Sequence, residues 1–159
     1  MRKLSSLAYG LALITIVLDQ LSKHWILNVF NLPAKGSVFV GGPFSLTMVW
    51  NKGVSFGLLK AEVDLVRWAL VAFSVGVAVF LAVWARKIER PLLATAVGLV
   101  MGGAIGNAID RARFGAVADF LDFKGLYFPW VFNIADSAIT VGVILLLLDS
   151  FRGEAKARV

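Results

Sequence analysis

No cysteine occurs anywhere in the chain, which excludes disulfides, thiolate metal sites and a cysteine nucleophile. Histidine is almost as scarce. His24 stands alone, so a metal site would have to be built almost wholly from carboxylates, and none is expected. A serine–histidine mechanism would have to join His24 to a serine such as Ser55 or Ser137, and nothing in the spacing favours it. No phosphate-binding loop is present: "GGAIGN" (102–107) lies inside an apolar run, where small residues let helices pack closely. Charge is sparse too, at 16% of residues. The formal net charge of +6 comes without any long basic run, so nucleic acid is not an expected partner and basic membrane flanks account for the excess. No internal repeat or low-complexity tract interrupts the chain.

What remains is apolar. Hydrophobic residues make up 59% of the 159, and the mean hydropathy is +0.83, far above that of soluble domains. About 20 apolar residues cross a bilayer as a helix, so this length allows roughly four crossings in one domain spanning 1–159. The runs fall at about 4–26, 65–85, 91–109 and 131–148. The first follows Arg2 and Lys3 as a signal peptide would, but no small-residue cleavage site follows it, and it ends in Asp19, Gln20, Lys23 and His24, so it is expected to be a retained helix.

The short loop "RKIER" (86–90), the head "MRK" and the tail "RGEAKARV" are all basic, and four crossings put them on one side. The positive-inside rule makes that side cytoplasmic and turns the two longer connections outward. The first of these is rich in β-branched and aromatic residues punctuated by Gly41, Gly42, Pro43 and "NKG", which predicts a small β-cradle over about 36–59. Strand backbones cannot be bared to hydrocarbon, so the cradle belongs at the interface, with Phe39, Phe44, Met48 and Trp50 facing lipid or substrate. The second connection runs from about Asp110 to Trp130. The expected architecture is therefore an all-α membrane protein of four transmembrane helices with a small extracytoplasmic β-cradle.

Ionisable groups in membrane spans are costly and point by default to a functional site. In this topology they gather at one depth. Asp19 and Lys23 close the outward end of the first helix, Asn107, Asp110 and Arg111 that of the third, and Asp136 lies in the outward half of the fourth. Asp119 falls in the loop between the last two. If that loop folds back over the bundle, Asp119 and Asp136 can share a desolvated site, where two carboxylates cannot both ionise cheaply. One then keeps a proton while the other activates a water, with the proton assigned to neither. Blander readings compete. Asp19 with Lys23 forms an i,i+4 ion pair, Asp110 with Arg111 an interfacial pair, Asn133 a helix cap and Asp136 a partner for the helix dipole. Spacing does not choose between Asp119 and Asp122. A transport path or a structural subunit also stays open, although the inner halves of all four helices are almost purely apolar apart from hydroxyls such as Ser74 and Thr95.

Five stretches then carry a resemblance: "LDQLSK" (18–23), "NKGVSFG" (51–57), "GGAIGNAIDR" (102–111), "VADF" (117–120) and "FNIADSAITVG" (132–142). Their order and spacing resemble those of bacterial lipoprotein signal peptidase, or signal peptidase II, over nearly the whole chain. The resemblance implies an aspartic endopeptidase of the bacterial inner membrane that cleaves prolipoproteins before a diacylglyceryl-modified cysteine. It implies Asp119 and Asp136 as the catalytic pair, which leaves Asp122 as a solvated interfacial acid. Supporting or substrate-binding roles fall to Asp19, Lys23, Asn51, Gly53, Gly103, Asn107, Asp110, Arg111, Asn133 and Ala135. No cofactor is implied. Membrane phospholipid and globomycin-like cyclic peptides are implied as further partners, and a monomer is the expected working unit.

Overall fold

The computed structural model describes residues 4–53 and 63–157. Helix α1 (Ser5–His24) continues through a π-helical turn at Trp25–Val29 into a short α2 (Leu32–Lys35). Strands β1 (Ser37–Gly41) and β2 (Phe44–Asn51) follow. Helices α3 (Val63–Ala85) and α4 (Pro91–Phe114) lead into β3 (Val117–Asp122), a 3-10 turn at Lys124–Leu126, β4 (Val131–Phe132) and α5 (Ile134–Ala157). α1 with its π-helical extension, α3, α4 and α5 are long and apolar enough to cross a membrane, so the protein is mostly helical with a small antiparallel sheet.

α4 is the central helix: 67% of its most apolar window is buried inside the protein, against 22% or less for the other three. Its glycines explain how neighbours come so close. Gly98, Gly102 and Gly106 recur every fourth residue and so share one face, which meets α1. A methyl group on Gly98 would stand 2.6 Å from the Ala8 carbonyl oxygen, and one on Gly102 would stand 2.6 Å from Thr15 Cβ. Gly103 faces α5 under the Ala135 carbonyl, and Gly142 of α5 returns the contact against Val100. Replacing Gly102 by Val is expected to force α1 off α4 and to destabilise the bundle by about 1–3 kcal/mol, the usual cost of overpacking. A melting temperature in detergent equal to that of the native chain would disprove this close packing.

The helix ends differ from the hydropathy runs for local reasons. α4 extends to Phe114 rather than to 109, because Asp110 to Arg113 lower hydropathy without breaking a helix. It stops at Gly115, whose φ of 77° and N–H bond to the Arg111 carbonyl (3.0 Å) form a left-handed cap. Asp110 and Arg111 are thus helical, and the connection starts later than expected. α5 begins at Ile134 rather than 131, since Val131 and Phe132 are a strand and Asn133 caps the helix.

The larger correction is β3. The segment around Asp119 is a strand, not a loop, in a four-stranded antiparallel sheet ordered β1-β2-β3-β4. Val49 pairs with Asp119, Asn51 with Val117, and Leu121 with Phe132. Val117, Ala118, Asp119 and Phe120 are all buried, so the strand is covered on both faces and has no polar–apolar alternation to read. Of the expected outward aromatics of the cradle, Phe39 and Trp50 are exposed. Phe44 instead packs on Phe123, ring centroids 5.0 Å apart, and Met48 packs against the small core of Ile26, Leu32 and Phe120. Cradle positions 54–59, with Ser55 among them, lie outside the described residues, as do the head (1–3) and the last residues of the basic tail.

Candidate active site

The sheet and the ends of α1, α4 and α5 converge on one buried polar cluster. Among the described residues, buried polar side chains are Thr15, Asp19, Lys23, Asn107, Asp110, Asp119, Asn133 and Asp149. All but Thr15 and Asp149 belong to this cluster, so the polar chemistry sits at one end of the bundle rather than along its length.

Lys23 anchors it. Its ammonium lies 2.8 Å from Asp19 Oδ2 and 2.8 Å from Asp110 Oδ2, and donates to Asn107 Oδ1 at 3.3 Å, so its three N–H groups meet three acceptors. Gln20 donates to Asp19, Asp110 and the Gly106 carbonyl, closing the cluster from the side. The two carboxylates also hold backbone. Asp19 Oδ1 accepts from the Ala135 N–H (3.0 Å) in the first turn of α5, and Asp110 Oδ2 accepts from the Ala118 N–H (3.1 Å) of β3. The Ala135 N–H lies in the first turn of α5, where no helical partner exists, so the buried acids of α1 and α4 help to fix where α5 and β3 begin. The Asp19–Lys23 pair therefore does more than close a helix end. The expected pairing of Asp110 with Arg111 does not form. Neighbours on a helix point about 100° apart, so Asp110 turns to Lys23 while Arg111 turns away.

Asn107 and Asn133 extend the cluster to the two aspartates. Asn107 Nδ2 donates to Asp136 Oδ1 at 2.7 Å, and Asn133 Nδ2 donates to Asp119 Oδ1 at 2.7 Å and to Asn107 Oδ1 at 3.1 Å. Asn51 Nδ2, across the ladder on β2, donates to Asp119 Oδ2 at 3.1 Å. Asn133 also caps α5. Its Oδ1 accepts from the Asp136 N–H (2.9 Å), while Asp136 Oδ2 accepts from the Asn133 N–H (3.3 Å), a reciprocal capping box. The capping reading of Asn133 and Asp136 is thus correct, and the same atoms serve the cluster. Burial, reinforced by the nearby Asp136 charge, pushes Asp119 up to about 6, against the pull of the Asn51 and Asn133 amides.

Asp122 stands apart. The Thr47 hydroxyl donates to it at 2.7 Å and the Lys124 N–H at 2.9 Å, and these bonds hold its carboxyl below the usual carboxylate range. The Gly53 N–H closes a turn on Asn51 Oδ1 (2.8 Å), and a side chain at Gly53 would meet Leu70. Arg111 Nη2 lies 3.8 Å from where the Gly53 side chain would begin, and Arg111 Nε is buried without a hydrogen-bond partner among the described residues. Two contributors escaped the sequence. Gln20 carried a signal, standing beside Asp19 in "LDQLSK". Arg67 carried none: from α3 it donates to the Arg111 and Ala112 carbonyls, each at 2.7 Å, and so caps α4 from outside.

The fold is that of a multi-pass membrane protein whose buried polar groups form one compact cluster at the end of the bundle. Comparison with known proteins narrows this. The profile of the signal peptidase (SPase) II family, peptidase family A8, matches residues 11–152. A lipoprotein signal peptidase of Caulobacter vibrioides is 56% identical over 149 residues, covering 93% of this chain and 88% of its own. One of Methylorubrum extorquens is 45% identical, covering 91% and 85%. A bacterial membrane enzyme solved by the in meso method at 2.3 Å superposes with a TM-score of 0.76 at 26% identity, covering 94% of this chain and 90% of that one. A second, at 1.9 Å, gives 0.74 at 28% identity, covering 89% and 90%. The chain belongs to the signal peptidase II family of aspartic peptidases and is a membrane-embedded hydrolase.

Proposed function

We propose that the protein is a lipoprotein signal peptidase of the bacterial inner membrane that cleaves prolipoproteins immediately before their diacylglyceryl-modified cysteine, using Asp119 and Asp136. The observation that carries this reading is the bridge of Asn107 and Asn133, which ties both carboxylates into one cluster. The ionised member takes a proton from a water, and the resulting hydroxide attacks the scissile carbonyl. The protonated member hydrogen-bonds to that carbonyl as charge develops on its oxygen, and the proton taken from water passes to the leaving amine. No covalent enzyme intermediate is needed. Arg111 and Asn51, at the edge of the site, hydrogen-bond the extended substrate backbone.

The depth suits this substrate. Acyl chains on the cysteine must stay in hydrocarbon while the signal helix crosses the bilayer, so the scissile bond lies near the surface, as does a cluster at helix ends beneath a sheet. With the basic "RKIER" turn on the cytoplasmic side, both termini are cytoplasmic and the sheet and cluster face the periplasm. The protein works as a monomer and is inhibited by globomycin-like cyclic peptides.

The direct test is cleavage by the purified protein in phospholipid micelles, comparing a diacylglyceryl-modified precursor with the same precursor unmodified. Rapid cleavage of the modified form alone is expected, and equal rates on both would refute the substrate assignment. The pH profile follows from Asp119. The pair is competent with one proton, and that proton leaves the free enzyme as pH rises through about 6. kcat/KM should therefore decline on the alkaline side of that value. A profile that keeps rising to pH 9 would contradict a shared proton.

A further inference from the structure

The opposite end of the bundle carries charge that the proposed hydrolysis does not use. Phe80, Val83, Trp84 and Lys87 line a shallow groove of about 430 Å³. The spacing of Phe80, Val83 and Trp84 puts them on one face of α3, and Lys87 follows in the turn beyond its end. The Phe80 and Trp84 ring centroids are 6.4 Å apart, and Phe80 is 67% exposed. α3 ends at Ala85, so Lys87 stands just beyond the membrane-length segment.

The turn that presents Lys87 is tied down. The N–H groups of Arg86, Lys87 and Ile88 donate to the carbonyls of Val83, Trp84 and Ala85. The Ile88 carbonyl accepts from the Leu4 N–H at 2.9 Å, and Arg90 pairs with the nearly buried Asp149 at 2.9 Å. Asp149 thereby matches the Arg90 charge. Glu89 offsets one more, and Arg86 and Lys87 enter no ion pair among the described residues. A net positive charge at the end of an apolar aromatic groove complements an amphiphile with an anionic head. A second copy of this chain is a poor occupant, because a two-fold contact would set Arg86 and Lys87 against their own images.

We propose that this face is a binding site for an anionic glycerophospholipid of the bilayer, its phosphate at Lys87 and one acyl chain along Phe80, Val83 and Trp84. The indole of Trp84 sits at the boundary between the two, the position tryptophan favours at membrane interfaces.

The test uses protein in phosphatidylcholine vesicles doped with brominated phosphatidylglycerol or with brominated phosphatidylcholine. Bromine quenches nearby indoles, and subtracting the signal of Trp84→Phe isolates Trp84 from Trp25, Trp50, Trp68 and Trp130. The glycerol lipid is expected to quench that component about fivefold more effectively at equal mole fraction, the preference that one lysine near the surface supplies. Lys87→Gln should abolish the preference while keeping the native melting temperature. Equal quenching by the two lipids, or a preference that survives Lys87→Gln, overturns the proposal. Native mass spectrometry serves if Trp84→Phe does not fold. Phosphatidylglycerol should stay on the native chain and be lost from Lys87→Gln, and equal retention by both, or by neither, overturns it.

Discussion

Asp119→Asn and Asp136→Asn, made separately, are each expected to lower the cleavage rate of a diacylglyceryl-modified precursor by about 10³-fold, the scale on which positioned general acids and bases act. Each substitution keeps the size of the side chain but removes an ionisable group, and with it the state in which one proton is shared between two carboxyls. The loss should appear in kcat, because substrate is held by other groups and the missing interaction exists only in the transition state. Asp122→Asn is the internal control. Its carboxylate is engaged by Thr47 and the Lys124 N–H, away from the asparagine bridge, so the variant should cleave within about twofold of the native rate. A folded Asp119→Asn or Asp136→Asn protein that cleaves at the native rate would end the dyad assignment. Collapse of Asp122→Asn would reopen the choice within "VADFLDF".

Lys23→Met is expected to destabilise the protein more than any other single substitution in the cluster. It leaves Asp19 and Asp110, both fully buried, without the cation that lies 2.8 Å from each. Removing one partner from a buried ion pair costs about 3–5 kcal/mol, which corresponds to a fall in melting temperature of about 10 °C for a chain of this size. Because Asp19 also holds the Ala135 N–H and Asp110 the Ala118 N–H, the damage should spread to the start of α5 and to β3. Adding Asp110→Asn to Lys23→Met should recover part of the loss by removing one uncompensated charge. If the single variant melts with the native protein, the cluster is hydrated in the membrane and its charges are not dependent on Lys23.

The same residues mark where sequence reading succeeds and where it stops. Four spans were legible because hydropathy is a sum over neighbours in the chain, and their ends slipped wherever a polar turn stayed helical, as at Asp110 to Phe114. The acids were legible as anomalies in an apolar chain. Their partners were not. Asp110 has a cation beside it in Arg111 and another 87 positions back in Lys23, and only the rotation of α4 against α1 selects the distant one. Gln20 was visible in its motif, whereas Arg67 is an unremarkable arginine on α3 until α4 ends against it.

β3 shows the limit most plainly. Its residues are buried on both faces, so neither strand periodicity nor hydropathy distinguishes them from a loop, and the partner strand lies some 70 residues earlier.

By itself, the sequence determined a four-span membrane chain, its basic and acidic ends and, through five motifs in register, the peptidase family, because each of these is written in local composition and order. The tertiary structure alone decided that Lys23 joins Asp19 to Asp110, that Asn107 and Asn133 bridge Asp119 to Asp136, and that Asp122 faces elsewhere. Such pairings depend on how helices rotate and strands register over long separations, and those are set by packing between segments rather than by any one segment.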